Sequence, residues 1–337
     1  METARTVLVL LTLMVAGICA RHWGKKIFIT YGQYFLALGL MLTSYADSYS
    51  LLIMALMITG IGGGFTEALI NPLVVDLHAE DSGKYLNIAN AFYPIGVMAG
   101  ALIFGELLTL GYSWRLMFRI AGIGALIMGV LFHISRFPTP IEAEHSSAHV
   151  ISDILRQPGF WLFAAAIFLG AGVESSFTFW GRSYVETYLA DVPRAGAIAV
   201  VIFAGTMAVG RLLSARLSEF MSLRTLMMRS AILGVLVSSA ILFTNSLIAF
   251  YILLALAGFA AACFWPTILA EADACLSVDT TMLFVMLACF GIAGFGLTPW
   301  IMGVIGDSAG LKAGFLVIPG LFIGLILVLT LERRIPN

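Results

Sequence analysis

The chain has 337 residues, 61% of them apolar and 11% charged, with 34 glycines and a mean hydropathy of +1.01. A soluble domain is roughly 45–50% apolar and about 25% charged, so a water-soluble enzyme and a disordered tail are both excluded. Eighteen basic against nineteen acidic residues leave a net charge of −1, without the basic surplus that nucleic-acid binding requires. What remains is an all-α, polytopic membrane protein, each span needing about 20 apolar residues.

Eleven apolar stretches occur in chain order, near 6–20, 27–46, 51–75, 86–110, 115–136, 158–181, 193–214, 225–244, 246–270, 280–305 and 312–331. Most connections are short and rich in turn residues, such as Asp47, Ser48, Tyr49 and Ser50, or Thr244, Asn245 and Ser246. The exception is 137–157, which holds two prolines, two glutamates and two histidines. It divides the chain into an N-terminal bundle of five spans (1–136), a linker (137–157) and a C-terminal bundle of six spans (158–337). The cysteines Cys19, Cys263, Cys275 and Cys289 are spaced by 244, 12 and 14 residues, without a C-x-x-C pair, and read as small buried hydrophobes. His145 and His149 share an i, i+4 spacing but have no cysteine or carboxylate cage around them, so no metal is expected.

Two segments repeat across the linker. Gly17 to Lys26 and Ala215 to Arg224 share the pattern small-x-x-small-charge-x-x-small-x-basic at an offset of 198. Internal repetition of this kind marks transporter folds built from related halves. The second copy comes 57 residues after the start at Pro158 and the first only 16 residues into the chain, a shortfall of 41, which is one helix and its loop. The expectation is a twelve-span design with its first span absent.

Basic residues set the orientation. With Arg21, Lys25 and Lys26 placed in the cytoplasm, that side collects twelve Lys and Arg, against six on the other. The linker and the C-terminus are then cytoplasmic. A signal peptide over residues 1–20 is the competing reading, although cleavage after Ala20 would cut into the repeated motif.

The segment from Gly17 resembles the loop signature G-x-L-A-D-R-x-G-R-K of the major facilitator superfamily, matching at Gly17, Ala20, Gly24, Lys25 and Lys26. Arg21 stands where that family usually carries Asp, whereas the second copy keeps an acid, Glu219. The resemblance implies a cytoplasmic gate at Gly17, Arg21, Gly24, Lys25, Lys26 and Glu219, and the Arg puts the usual acid-based lock in doubt. A narrower resemblance is to the fucose/glucose–galactose proton symporter family. It is carried by Gly62 to Leu73 with Glu67, Asn71 and Pro72, by Ser82-Gly83, by Leu86, Asn87, Ala89 and Phe92, by Gly170 to Glu174, by Val209 to Arg211, and by Phe264 to Ile268. That family's helix-four acid matches Glu67, implying proton coupling or binding of sugar hydroxyls. Tyr93 replaces the Asn of fucose-type members, so substrate identity does not carry over.

Polar residues inside the apolar runs are the candidates for function, because an ionised carboxylate at membrane depth costs at least about 2.5–3.5 kcal/mol. Glu67 and Asn71 lie one helical turn apart. Glu174 is followed by Ser175, Ser176, Thr178 and Trp180, a set of hydroxyls, a carboxylate and an indole that suits a sugar. Trp180 is equally readable as an interfacial belt residue, and Glu67 as a structural pair. Asn87, Asn90 and Tyr93 make one polar line, with Asn87 alternatively a helix cap. Arg211 is assigned to the gate with Glu219, or to snorkelling toward headgroups.

The expectation is a permease moving a small neutral solute, a sugar, with protons by alternating access in a bacterial inner membrane, as a monomer without cofactor. The absence of a basic residue at mid-depth is read as disfavouring anionic solutes. The rivals are an efflux antiporter of metabolites or drugs and a truncated, non-transporting sensor or scaffold. With no P-loop, cofactor fingerprint or nucleophile elbow, no enzyme is expected.

Overall fold

Lipid offers no hydrogen-bond partner to a peptide group, so a chain this apolar must satisfy its backbone internally, and helices do so segment by segment. The computed structural model describes residues 2–138, 147–189 and 193–332, and among these no strand occurs. The helices are α1 (Glu2–Trp23), α2 (Lys25–Ser44), α3 (Tyr49–Leu77), α4 (Ser82–Thr109), α5 (Trp114–Ile134), α6 (Ser147–Arg156) and α7 (Pro158–Tyr188). They continue with α8 (Pro193–Leu217), α9 (Leu223–Phe243), α10 (Leu247–Ala261), α11 (Phe264–Cys275), α12 (Thr280–Ala309), α13 (Leu311–Gly314) and α14 (Val317–Glu332). A 3-10 turn at Ala79–Asp81 leads into α4.

Among the described residues, ten helical segments are long and apolar enough to cross a membrane, and Leu8–Trp23 is a shorter apolar helix. The eleven stretches expected from hydropathy are therefore all helical. The stretch 246–270 is broken, because α10 stops at Ala261 and α11 starts at Phe264. Linker residues 139–146, with His145, lie outside the described part; His149 pairs with Asp153 one turn along α6, at 3.3 Å.

Two of the expected turn residues, Ser48 and Ser246, act as caps, and Ser113, Ser222 and Asp279 do the same. Ser48, Ser113, Ser222 and Ser246 accept backbone N–H bonds at the starts of α3, α5, α9 and α10, and Asp279 accepts from Met282 N at 2.8 Å at the start of α12. Gly24, the motif glycine between α1 and α2, has φ +80°, a left-handed value that a Cβ would strain.

The helices group into two units. One holds residues up to Ala79, Ile103–Ile154 and Val278–Cys289; the other holds Glu80–Leu102, Leu155–Ser277 and Phe290 onward. In the first, α2 packs against α3 and α5, and α1 against α3. In the second, α7 packs against α8, α11 and α14, and α9 and α10 against each other. Small residues set the spacing in both, as membrane helices require. A Cβ on Gly62 would fall 2.4 Å from Leu36 N and 2.5 Å from Gly32 O; one on Gly39 would fall 2.6 Å from Thr59 N. A Cβ on Gly64 would meet Thr12 at 2.9 Å, whereas Gly63 and Gly96 face open space. In the glycine cluster of α3, Gly62 thus admits α2 and Gly64 admits α1, while Gly63 between them admits neither.

Gly62→Ala should overpack the α2–α3 contact by roughly 1–3 kcal/mol and lower the thermal midpoint of the detergent-solubilised protein. Gly63→Ala should leave the midpoint unchanged or raise it. Equal effects of the two substitutions would contradict this packing.

Candidate functional site

Glu174 lies midway along α7, just after Gly170 and Gly172, which let Phe264 and Thr298 pack close against the helix. Its Oε2 accepts from Arg211 Nη2 at 2.8 Å, and the two side chains are only 8% and 3% exposed. Charges this deep persist only when paired and further hydrogen-bonded. Arg211 is held by more than its carboxylate. Its Nη1 donates to the Asn90 carbonyl at 2.7 Å, its Nε to the Ala262 carbonyl at 3.2 Å, and its guanidinium lies 5.7 Å from the Tyr93 ring centroid.

Those two carbonyls share a property legible in the sequence. Proline has no N–H and so leaves the carbonyl four residues earlier without its helical donor. Asn90 stands four residues before Pro94, and Ala262 four before Pro266. Arg211 therefore supplies the donors that two prolines removed, one in α4 and one at the α10–α11 break. A planar fork with five N–H groups is suited to this, since it reaches acceptors on several sides at once.

Asn87 completes the cluster. Its Nδ2 donates to Gly83 O at 2.8 Å and to Thr267 Oγ1 at 3.1 Å, tying α4 to α11. Asn87 and Thr267 are both fully buried, and Asn87 Oδ1 has no hydrogen-bond partner among the described residues. Asn87 lies inside α4 and does not cap it. Asn90 Nδ2 turns back to Leu86 O at 2.9 Å, and Tyr93 is 48% exposed at the edge of the cluster. Trp180 donates from Nε1 to the Pro299 carbonyl at 2.8 Å, which anchors the indole to α12.

Glu67 and Asn71 belong to the other unit, one turn from each other on α3. Glu67 is partly buried and Asn71 is 5% exposed. Nearby, Gln33 Nε2 donates to Thr66 Oγ1 at 3.0 Å.

The repeated loops carry two ion-pair clasps. Arg21 Nε lies 3.4 Å from Asp279 Oδ2, and its Nη1 donates to Ser147 Oγ at 3.3 Å. Lys25 pairs with Asp76 at 2.6 Å, Lys26 donates to Ser135 O at 2.8 Å, and a Cβ on Gly17 would sit 2.9 Å from Val285. In the second copy Glu219 pairs with Lys84 at 2.7 Å and also with Arg216. The hydrogen bond from Lys84 is the main cause that holds the Glu219 carboxyl below its ordinary range, with the Arg216 charge adding to it. The offset of 198 carries Arg21 onto Glu219 and Ser82, the first residue of α4, onto Thr280, the first of α12. Both clasps thus tie the repeated loop to the start of an equivalent helix with the signs reversed, although the partners differ in register, since the offset carries Asp81 and not Lys84 onto Asp279.

Two sequence expectations change here. Arg211 pairs with Glu174 and not with Glu219, because helical side chains tilt toward the N-terminus and so carry the guanidinium away from the end of α8. The premise that no basic residue lies deep in the membrane falls with it. Sequence reading also missed Asp279, Lys84 and Asp76 as partners and Thr267 as a site residue, although Thr267 belongs to the Phe264 to Ile268 motif. Counting back four from each proline would have found both carbonyls. Among the described residues no three His, Cys, Asp or Glu side chains gather where a metal ion could sit.

The chain is 22% identical to membrane protein MosC of Rhizobium meliloti, across 92% of this chain and 75% of that one. It is 23% identical to the uncharacterised MFS-type transporter YhcA of Bacillus subtilis, across 54% of this chain and 32% of that protein. The fold matches the E. coli fucose:proton symporter FucP with a TM-score of 0.84 at 19% identity, covering 99% of this chain and 90% of that one. It matches the human organic anion transporter MFSD10 with a TM-score of 0.79 at 17% identity, covering 97% and 82%. Residues 1–193, more than half of the chain, fit the family model of the Major Facilitator Superfamily. This all-helical, multi-pass membrane protein belongs to the major facilitator superfamily.

Proposed function

We propose that the chain is a secondary active transporter that moves a small neutral solute, a sugar, together with protons by alternating access. The observation that carries this reading is the buried cluster around Arg211. Its one positive charge is cancelled by Glu174, and the rest of its surface is hydrogen-bonding: Asn87, Asn90, Thr267 and the Tyr93 ring. A neutral, hydroxyl-rich solute matches a site of zero net charge with amide, hydroxyl and aromatic groups. The fold likeness to a fucose:proton symporter supports the same substrate class. In this reading Glu67 and Asn71 form the proton-linked stripe on α3, and Trp180 offers an apolar face.

The helices of 1–136 and 158–337 act as the two moving bundles, joined by a cytoplasmic linker at 137–157, in a monomer with a cytoplasmic C-terminus in a bacterial inner membrane. Gly17, Arg21, Gly24, Lys25, Lys26 and Glu219 form the cytoplasmic gate. Each clasp joins a helix or loop before the linker to one after it, Arg21 to Asp279 and Glu219 to Lys84. Reversed signs keep the partners from exchanging, since a crossed pairing would bring Arg21 to Lys84 or Glu219 to Asp279.

Protein reconstituted into liposomes should take up labelled galactose or fucose when an inward proton gradient is imposed. Glu67→Gln should reduce gradient-driven uptake about tenfold or more while sugar exchange at equal pH persists. Uptake indifferent to the gradient in the unmodified protein would overturn proton coupling.

Glu219 yields a pH prediction. Its carboxyl is more acidic in the folded protein than in the unfolded chain, so the clasp stabilises the fold at neutral pH and that stabilisation is lost as pH falls through the lowered value. The thermal midpoint of Glu219→Gln should lie below that of the unmodified protein at pH 7. The difference should shrink toward zero on acidification below 4.5, the ordinary value for this group.

A further inference from the structure

We infer that Arg119 and the aromatic corner around it form a docking site for one anionic glycerophospholipid, whose phosphodiester takes the N–H edge of the Arg119 guanidinium. The site lies in the first unit, at the end of α5 away from the linker, and it does not depend on which solute the chain carries.

Three helix ends meet there. Tyr45 closes α2, Ser48 caps α3, and Ser113 caps α5. Arg115 ties the corner together, donating from Nη2 to the Ala46 carbonyl at 2.9 Å and to Asp47 Oδ1 at 2.8 Å, a contact that cancels its charge. Arg119, one turn further along α5, has no such partner. Its guanidinium carbon lies 4.7 Å from the Tyr45 ring centroid, and its buried Nε meets no acceptor among the described residues. A stacked ring holds the fork by its face and takes none of its in-plane hydrogens. The charge of Arg119 is thus held in place with its donors unspent.

The depth of this charge selects the kind of anion. With 21 residues, α5 is about 30 Å long, the thickness of the hydrocarbon core. Arg119 stands about 7.5 Å in from Trp114, the first residue of the helix. Helical side chains tilt toward the N-terminus, so a long arginine there reaches back to the headgroups. Aromatic residues mark that level: Tyr45, Tyr49, Tyr112 and Trp114 are between 40% and 65% exposed. Arg119, Ile123 and Ile127 follow one another at four-residue spacing, and both isoleucines are exposed. A phospholipid brings its phosphate to this depth and lays an acyl chain along the isoleucines, which a free anion does not.

The fold itself does not require these charges. The offset of 198 that carries the Ser48 cap onto the Ser246 cap also carries Tyr45 onto Phe243 and Asp47 onto Asn245. It carries Arg115 onto Ala313 and Arg119 onto Val317. In the second half α9 and α14 pack against each other as α2 and α5 do in the first, yet these positions are uncharged. A charge present in one copy of a repeat and absent from the other answers to something outside the shared packing. At headgroup level that is an anion. A phosphodiester offers two oxygens to the arginine fork, and its single charge matches that of Arg119. A zwitterionic headgroup adds an ammonium, and Asp47 beside it is already held by Arg115.

The test gives the full-length protein in detergent an equimolar mixture of phosphatidylglycerol and phosphatidylcholine and counts the retained lipids by native mass spectrometry. Phosphatidylglycerol should be retained about fivefold over phosphatidylcholine, the ratio expected of one basic side chain at an anionic membrane surface. Arg119→Gln should bring the two lipids to parity. Arg229→Gln, which removes an exposed charge from α9 in the other unit, should leave the preference intact. A photoreactive phosphatidylglycerol should label residues 45–49 or 112–119 of the unmodified protein, and this decides alone if Arg119→Gln fails to fold. Parity in the unmodified protein, an undiminished preference in Arg119→Gln, or labelling confined to other segments overturns the inference. Phosphatidylethanolamine retained as well as phosphatidylglycerol would overturn it by showing a site for zwitterions. Inorganic phosphate that displaces phosphatidylglycerol would overturn it in favour of a free anion.

Discussion

A peptide carbonyl without a donor is expensive anywhere in a protein interior and more so at membrane depth, where no water can replace the missing bond. Pro94 and Pro266 create two such carbonyls in this chain, and one side chain answers both. Arg211 joins Asn90 O and Ala262 O and then takes Glu174 as its counter-charge. The arrangement is mutually enforcing. The prolines open the helices, the openings need a donor, the donor is charged, and its charge needs the only carboxylate that α7 places deep in the apolar run. Four segments, in α4, α7, α8 and at the α10–α11 break, are held at one point by this requirement.

The same constraint explains why the cluster is chemically useful. A buried ion pair contributes little net stability compared with a well-packed apolar pair, because desolvation offsets the attraction. Its presence is better understood through the two proline-freed carbonyls that the guanidinium satisfies. The carbonyl bonds immobilise Arg211 independently of its acid, and Asn87 holds Thr267 while leaving Oδ1 open. Rigid placement of donors and acceptors on helices, with broken helices near the ligand, is a recurring design of membrane carriers.

The loop clasps obey a different physics. Lys84 and Glu219 are both about a quarter to a third exposed, so water weakens that pair, whereas Arg21 is nearly buried against Asp279 and is screened less. Their importance lies in pairing rules. Arg21 replaces the acid usual in its family, yet a partner of opposite charge waits at Asp279, which also caps α12. The second copy keeps its acid at Glu219 and meets Lys84 at the start of α4. A charge reversal that looked like the loss of an ion pair in one loop is an ion pair with its sign changed, visible only when both partners are known.

Composition and hydropathy alone determined that this chain is an all-helical membrane protein and roughly where its apolar helices run, though not that 246–270 is broken between Ala261 and Phe264. Those properties are local, since a run of about 20 apolar residues has one stable form in lipid, whatever surrounds it. The turn residues Ser48 and Ser246, which cap α3 and α10, were legible for the same reason. Glu67 and Glu174 could be singled out as acids inside apolar runs, but their partners could not. Arg211 is 37 residues from Glu174, 121 from Asn90 and 51 from Ala262 in the chain. No period or spacing reports which helices become neighbours, and the tilt that turned Arg211 from Glu219 toward Glu174 depends on which face of α8 meets α7. The tertiary structure decided which charge cancels which, and with it the chemistry of the site.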